Sequence, residues 1–324
     1  MSSDSQPSLA FGPVPSRRLG QSLGVNNIPP KHCSYSCVYC QLGRTPHITA
    51  ERRRFLAPAD ICDVVRRRLD ECRRDRVRVD YLTVVPDGEP TLDAELGELL
   101  VRLQKLGPPV AVITNGSLLD RSDVRSELGA ADWVSVKVDA VNSRTWRLVD
   151  RPHGKLRLDG ILEGLRVFAA GDRGTLVTET MLVAGRNDGE DDIAEITEFL
   201  TGIRPDLAYL GAVTRPPAES WVRPPETSRV VSAYVEMSSR LPRVELLIGD
   251  PIEAVAASSD VERDLLAITA VHPMDEAMVI ELGGGSREAL TVAAGLVRCG
   301  CLEQVEYRGR RFFVRPFAAT RPRA

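Results

Sequence analysis

From about residue 20 to residue 240 the chain alternates between short strand-like runs and longer stretches of helical period. The runs Ser22–Asn26, Asp80–Val85, Val110–Thr114, Trp133–Val138, Leu176–Val183 and Asp206–Val213 are rich in Val, Ile, Leu, Thr or Tyr. Gly, Pro, Asn or Asp bound each of them, as expected of strands. Between them, Pro58–Arg74 places Ile61, Val64, Val65, Leu69 and Cys72 at helical spacing, with Pro58 suited to a first turn. Asp93–Leu106 and Ile161–Ala170 read similarly, and Glu190–Leu200 opens on acids that favour a helix N-terminus. Parallel strands need a crossover, usually helical, so the alternation predicts an α/β fold with helices covering a parallel sheet. Six such units make an open or partial barrel.

The pattern changes after Gly249-Asp250-Pro251. Asp260–Ala270, Asp275–Leu282 and Ser286–Arg298 read as helices, with Ser286 the expected N-cap of the third and Gly300 just past its end. Gln304–Tyr307 and Arg311–Val314 flank Arg308-Gly309-Arg310 as a hairpin. Three helices and a hairpin outline a winged-helix-like domain. The expected organisation is a loose tail over 1–10, a core domain over 11–250 and a winged-helix-like domain over 258–324, with the boundary near 250–260.

With 324 residues, 43 % of them hydrophobic, the chain can bury a large core. No apolar run approaches the roughly 20 residues that span a bilayer, and the first residues lack the basic and apolar regions of a signal peptide. The expected location is cytoplasmic, with no membrane partner. A net charge of −3 predicts no bulk attraction to nucleic acid. Seven cysteines, an odd number in a reducing compartment, favour metal or redox chemistry over structural disulfides.

Three of those cysteines stand in Lys31-His32-Cys33-Ser34-Tyr35-Ser36-Cys37-Val38-Tyr39-Cys40-Gln41, spaced C-x3-C-x2-C directly after the first predicted strand. Active sites of β/α barrels collect at that strand end. Three thiolates can hold three irons of a 4Fe–4S cluster and leave the fourth open. A structural zinc site normally wants a fourth N or S ligand close by, and His32 adjoins Cys33 too closely to turn toward the same metal. Zinc or a redox thiol set is the alternative. Cys62 and Cys72 sit in the helix after this loop, and Cys72, on its apolar stripe, reads as a buried thiol. Cys299 and Cys301 have no second ligand pair nearby.

Other strand ends carry polar motifs. Asp87-Gly88-Glu89-Pro90-Thr91 follows the second strand and by itself reads as a turn. A carboxylate and free carbonyls there would accept from an ammonium group. Thr114-Asn115-Gly116 ends the third strand. On the fourth, Trp133, Ser135, Lys137 and Asp139 alternate with valines. A polar row facing inward is costly unless it binds something, whereas on a solvated edge it would be ordinary. The fifth strand ends in Val183-Ala184-Gly185-Arg186-Asn187-Asp188, and Gly211 lies in the sixth. Upstream, Phe11-Gly12-Pro13-Val14-Pro15-Ser16-Arg17-Arg18-Leu19-Gly20 reads as a defined extended lead-in whose arginines could hold a phosphate or carboxylate, or form surface ion pairs. Arg151-Pro152-His153-Gly154-Lys155 is a substrate-loop candidate or a solvated loop.

The cysteine motif, with Tyr39 before its last cysteine, resembles that of the radical S-adenosylmethionine (radical SAM) superfamily. The lead-in and cysteine loop together resemble the branch grouped with tRNA wyosine-forming oxidoreductases. The resemblance covers roughly residues 10–245 and implies a partial (β/α)6 radical SAM barrel. It implies that Cys33, Cys37 and Cys40 hold a 4Fe–4S cluster. Gly88, Glu89 and Pro90 resemble the Gly-Gly-Glu-Pro motif that binds the SAM amino group, with Asp87 in place of the first glycine. Tyr39, Asn115, Ser135, Lys137, Asp139 and Asn187 occupy positions expected to face or seat SAM. The implied chemistry is reductive cleavage of SAM to a 5′-deoxyadenosyl radical that abstracts a substrate hydrogen, with a flavodoxin or ferredoxin as electron donor.

The substrate classes this leaves are a tRNA base, by resemblance, or a peptide read by the winged helix. A non-catalytic iron–sulfur DNA-binding regulator is the alternative of another class. The third C-terminal helix carries only Arg287 and Arg298 as bases, with Glu288 beside them, where a DNA reader shows a clearer basic face. Positive charge follows at Arg308, Arg310, Arg311, Arg315, Arg321 and Arg323, which could touch RNA or an acidic peptide.

Overall fold

The computed structural model describes residues 9–247, 261–269, 273–307 and 309–316. The chain opens on two antiparallel strands, β1 (Ala10–Ser16) and β2 (Gly20–Val25). A two-residue parallel ladder, β3 (His32–Cys33) with β4 (His47–Ile48), closes the base of the cysteine loop. Then come α1 (Pro58–Arg74), β5 (Tyr81–Val84), a 3-10 turn over Pro90–Leu92, and α2 (Leu96–Gln104). They are followed by β6 (Val110–Thr114), α3 (Ser122–Leu128), β7 (Trp133–Lys137), α4 (Ser143–Val149) and α5 (Leu158–Ala170). Next are β8 (Thr175–Leu182), α6 (Glu190–Ile203), β9 (Leu207–Ala212), α7 (Thr227–Ser238) and β10 (Val244–Leu247).

The main sheet runs β1-β2-β5-β6-β7-β8-β9-β10, and every neighbouring pair after β1–β2 is parallel. The six expected strands are present within a residue or two of their predicted limits. Two were not predicted as strands. The lead-in forms β1, so Ala10, assigned to a loose tail, is a buried sheet residue opposite Val25. β10 extends the parallel series to seven, because Val244–Leu247 is a short apolar run that continues beside β9. The partial barrel therefore exceeds the expected six units.

Side-chain parity divides the barrel. Leu82, Val84, Val110, Val112, Val134, Val136, Leu176, Ala208, Leu210 and Leu246 point outward into the core beneath the helices. Ala111, Trp133, Val177, Leu207, Tyr209 and Leu247 point inward with Leu19. Trp133, Ser135 and Lys137 thus share the inward face of β7, where alternation placed them.

Past the undescribed residues 248–260 come α8 (Val261–Ile268), β11 (Met274–Asp275), α9 (Glu276–Leu282), α10 (Glu288–Arg298) and the hairpin β12 (Glu303–Tyr307) and β13 (Arg310–Val314). These strands form a three-stranded sheet in the order β11-β13-β12. Asp275 caps α9 by accepting from the Met278 amide. The N-cap position of α10 is Arg287, not Ser286. Arg287 already has helical torsions, and Ser286 Oγ accepts from the Glu288 amide one residue outside the cap. Arg310 pairs with Asp275 and Arg311 with Glu276, which neutralises part of the expected basic run; Arg308, Arg321 and Arg323 lie outside the described residues.

Strand β13 joins the two cores. Phe313 packs among Leu265, Met274, Val279 and Leu296. Phe312 and Val314, on its other face, belong to the core of the barrel's helical layer. Among the described residues, no helix is long and apolar enough to cross a membrane. Replacing Phe312 by Ala removes a buried ring from that junction, and the expected loss is about 3–5 kcal/mol of unfolding free energy, measured by urea titration.

Candidate functional site

The C-terminal ends of the parallel strands surround a cavity of about 350 Å³. Cys33, Cys37 and Cys40 all line it, and all three are free thiols. The loop that carries them is held almost residue by residue. Lys31 N donates to Asp87 O (2.7 Å), Ser36 N to Asp150 O (3.0 Å), Val38 N to Val149 O (2.9 Å) and Thr49 N to Cys33 O (3.0 Å). Tyr35 OH accepts from Trp146 Nε1 at 3.1 Å. Val38 packs against Val149, Val183, Val213 and Val222.

Two of the thiols, Cys33 and Cys37, are buried beside carboxylates. Burial pushes Cys33 up to about 12, aided by the Glu89 charge, while the Tyr35 amide opposes the shift. Burial also raises Cys37 well above the usual thiol range, with Asp150 adding to it. Cys37 Sγ donates to Asp150 Oδ1 at 3.4 Å, and Asn115 Nδ2 donates to Cys33 Sγ at 3.6 Å. A metal held here would have to displace the thiol protons that this burial favours. Among the described residues, no three His, Cys, Asp or Glu gather closely enough to hold one metal ion. A polynuclear cluster takes each thiolate on a different iron, so three thiols spread round one cavity suit it where a single zinc would want four ligands converging.

Gly88 lies where only glycine fits. A Cβ there would stand 2.1 Å from His32 O, the carbonyl that accepts from Glu89 N at 2.9 Å. The turn is thereby pressed against the cysteine loop. Glu89 is buried and heavily bonded: Oε1 accepts from Thr91 N (3.0 Å), Thr91 Oγ1 (2.5 Å) and Thr114 Oγ1 (2.6 Å), and Oε2 from Asn115 N (2.8 Å). Burial raises its pKa, and the bonds from Thr114, Thr91 and Asn115 oppose that rise. Oε2, with one donor, keeps acceptor capacity.

Of the predicted site residues, the structure brings Tyr39, Gly88, Glu89, Asn115 and Lys137 to the cavity wall with the three cysteines. Pro90 is buried in the 3-10 turn and accepts from Asn27 Nδ2 at 3.1 Å. Ser135 is buried lower on β7. Asp139 lies behind the wall, where its Oδ1 accepts from Met181 N at 2.6 Å and its Oδ2 from Tyr39 OH. Asn187 is buried and bonds only backbone, donating to Asp139 O and Met181 O at 2.9 Å each and accepting from Val183 N at 2.8 Å.

Sequence reasoning overlooked Glu179. It lies directly across the β7–β8 register from Lys137, whose Nζ donates to it at 2.7 Å, and it also pairs with Arg18. Burial alone would raise it, but Arg18 and Lys137 hold it down to about 2. The available signal was a lone acid within the apolar run Thr175–Leu182. Glu219 was overlooked too. It accepts from Arg44 Nε and Nη2 at 2.8 and 2.9 Å and from Arg151, and its amide donates to Val38 O at 3.1 Å, tying the loop after β9 to the cysteine loop. Cys72 is buried in α1 as expected, and Cys62 is buried there too. Cys299 and Cys301 sit with their sulfurs 2.9 Å apart.

The family model of the radical SAM superfamily matches residues 27–200. The UPF0026 protein of Methanocaldococcus jannaschii is 42 % identical over 310 residues, covering 95 % of this chain and 96 % of that one. The UPF0026 protein of Synechocystis is 36 % identical over 209 residues, covering 64 % and 76 %. Among solved structures, a radical SAM methyltransferase from Sphaerobacter thermophilus superposes with a TM-score of 0.55 at 16 % identity, over 70 % of this chain and 67 % of that one, which is a likeness of fold.

Two outcomes test this geometry. Gly88→Ala forces the His32 carbonyl aside, and the reconstituted variant is expected to hold far less iron and sulfide than the parent while its circular dichroism persists. Glu179→Gln leaves Lys137 and Arg18 without their shared carboxylate, at an expected cost of about 3–5 kcal/mol near neutral pH. A carboxylate depressed in the fold contributes stability above its unfolded pKa near 4.5 and loses it as pH falls toward about 2. Parent and variant should therefore converge in urea titrations as pH drops through that window.

Proposed function

The chain belongs to the radical SAM superfamily and its UPF0026 relatives, and from that premise we propose an enzyme that binds a 4Fe–4S cluster and SAM and modifies its substrate by hydrogen abstraction. The observation that carries this reading is the convergence of Cys33, Cys37 and Cys40 with Gly88, Glu89 and Asn115 on one cavity at the strand C-termini. When bound, the cluster and SAM supply the one-electron chemistry.

The chain's own residues do the positioning. The three cysteines would hold the cluster, and each thiol gives up its proton to a metal. Asn115 Nδ2 directs a hydrogen bond at the Cys33 sulfur, which steadies charge on that ligand. Glu89 and Gly88 line the cavity, and the carboxylate and carbonyls of their turn are acceptors suited to the SAM ammonium group. Tyr39 and Lys137 form a cation–π pair at 5.3 Å on the same wall. Pro90, Ser135, Asp139 and Asn187 frame that wall from behind. Val85, Ile113, Val213 and Leu247 line it with apolar surface that excludes water from a reactive intermediate.

The order α8, β11, α9, α10, β12, β13, with its three-stranded sheet, supports the winged-helix-like reading of 258–324. The outward positions of α10 include Glu288, Thr291 and Arg298, which is not a basic face and weighs against the DNA-binding regulator. The pairing of Arg310 and Arg311 with acids weighs against the hairpin holding RNA. A tRNA base remains the substrate class by resemblance, a peptide the alternative, and a flavodoxin or ferredoxin the electron donor.

The test is anaerobic reconstitution with iron and sulfide followed by EPR of the reduced protein with and without SAM. A 4Fe–4S signal that changes on adding SAM, together with release of 5′-deoxyadenosine, is expected. Cys33→Ala, Cys37→Ala and Cys40→Ala should each abolish the SAM-dependent change. Stoichiometric zinc in place of iron, or a cluster signal indifferent to SAM, overturns the reading.

A further inference from the structure

Cys299 and Cys301 take no part in the strand-end site. They flank Gly300 at the end of α10, in the module whose described residues stay clear of that cavity. Their sulfurs lie 2.9 Å apart. The backbone explains why. Cys299 is the C-cap residue, and Gly300 follows in the left-handed region at φ +73°. Gly300 N donates to Val297 O at 3.0 Å and Cys301 N to Leu296 O at 2.9 Å. These two bonds are the Schellman pattern, which turns the chain back at the end of a helix. Gly300 takes up the positive φ that a side chain there would resist, and the cysteines on either side of it meet.

Packing accounts for one of the pair. Cys301 is half-buried against the module core around Leu296, the apolar contact that often accompanies such a turn. Cys299 is exposed, so packing gives no reason for a second sulfur there. Its Sγ also lies 3.2 Å from Leu296 O. Hydrogen bonding to Cys301, through sulfur and then amide, holds the Cys299 thiol below its ordinary value, while desolvation and the Glu262 charge act against that. An accessible thiol shifted this way is of the reactive kind.

A metal is the other use of paired cysteines. Zn–S bonds of about 2.3 Å in a tetrahedral site set two sulfurs about 3.8 Å apart. The observed separation is too short to admit a metal between them. Among the described residues, no third His, Cys, Asp or Glu gathers with these two. A disulfide draws sulfurs to about 2.0 Å. Here it would close a ring of only three residues, which takes little entropy from the unfolded chain, so stability is not the reason for the pair. Exposed disulfides are the labile ones, open to reduction.

We infer that Cys299 and Cys301 are a redox-active dithiol that exchanges with disulfides, at a site separate from the strand-end cavity. The Cys299 thiolate attacks one sulfur of the disulfide, and one thiol leaves with a proton. Cys301 then loses its proton and attacks the Cys299 sulfur of the mixed disulfide, and the second thiol leaves. One S–S bond breaks and another forms. The cysteines give up two electrons and two protons, and the substrate disulfide takes both.

The probe is glutathione, oxidised and reduced in varied ratio, applied anaerobically to the full chain loaded with iron and sulfide. After acid quenching and alkylation, trypsin cuts behind Arg298 and Arg308 and releases one peptide in which Cys299 and Cys301 are the only cysteines. Mass spectrometry of that peptide is the readout, and it stands whether or not a cluster forms elsewhere. Expected is an unalkylated form lighter by two hydrogens, whose fraction rises and falls reversibly with the ratio. Cys301→Ser should instead trap glutathione on Cys299. Cys299→Ser leaves the half-buried thiol, which should react about tenfold more slowly or less. Gly300→Val, strained at positive φ, should lower the equilibrium constant for closure about tenfold while both thiols remain alkylatable. Thiols that stay reduced at every ratio, a parent that stops at mixed disulfides, or a crosslink that excess reduced glutathione fails to open overturns the dithiol.

Discussion

The cysteine loop and the turn after β5 are joined through their backbones. Lys31 N reaches Asp87 O, Glu89 N reaches His32 O, and the approach is so close that position 88 admits no side chain. Much else depends on that contact. It brings Glu89 under the loop, where four donors fix its carboxylate, and one of those donors is the amide of Asn115 at the end of β6. Asn115 in turn reaches Ser34 Oγ at 2.9 Å and the Cys33 sulfur. Two strand ends and the cysteine loop therefore share one hydrogen-bond network, and its members cannot move independently. On the opposite side, Asp150 and Glu219 hold the same loop to the ends of α4 and β9.

Polar groups inside a barrel carry a desolvation penalty that only partners relieve. Here the penalty is met unevenly. Ser22 Oγ and Thr83 Oγ1 satisfy one another at 2.7 Å. Glu179 is matched by two ion pairs, with Arg18 and Lys137. Such a cluster stabilises a fold poorly compared with apolar packing of the same volume. It stands on the wall of the cavity that the three cysteines line, above the apolar floor of Trp133, Val177 and Tyr209.

The sequence revealed the parallel strands because their outward residues are nearly all aliphatic and their loops begin with Gly, Pro, Asn or Asp. It missed β1, where two prolines and a glycine masked a strand that needs only one hydrogen-bonded neighbour. It missed β10 because four residues are too few for a period to emerge. Helices α3 and α4 span seven residues each and α7 mixes serines among its apolar positions, so their stripes were weak. The cysteines and the turn at Gly88 were legible because local spacing carries them. Glu179, Glu219 and Arg215 were not, since their meaning comes from residues more than 40 positions away that only the sheet register or a loop crossing brings near.

The two faces of β13 bear on how a substrate would be chosen. Phe312 and Val314 join the layer of α7, while Phe313 completes the core of the C-terminal module. Thr227, at the start of α7, bonds Glu303 on β12. The module is thus fastened to the outer, helical side of the barrel, and none of its described residues lines the cavity at the strand C-termini. A molecule held in that cavity would meet the cysteine loop, the ends of β5, β6 and β7 and the loop after β9 rather than the module. Contacts from the module would act on parts of a large substrate remote from the chemistry, where binding energy can orient the reacting group without touching it.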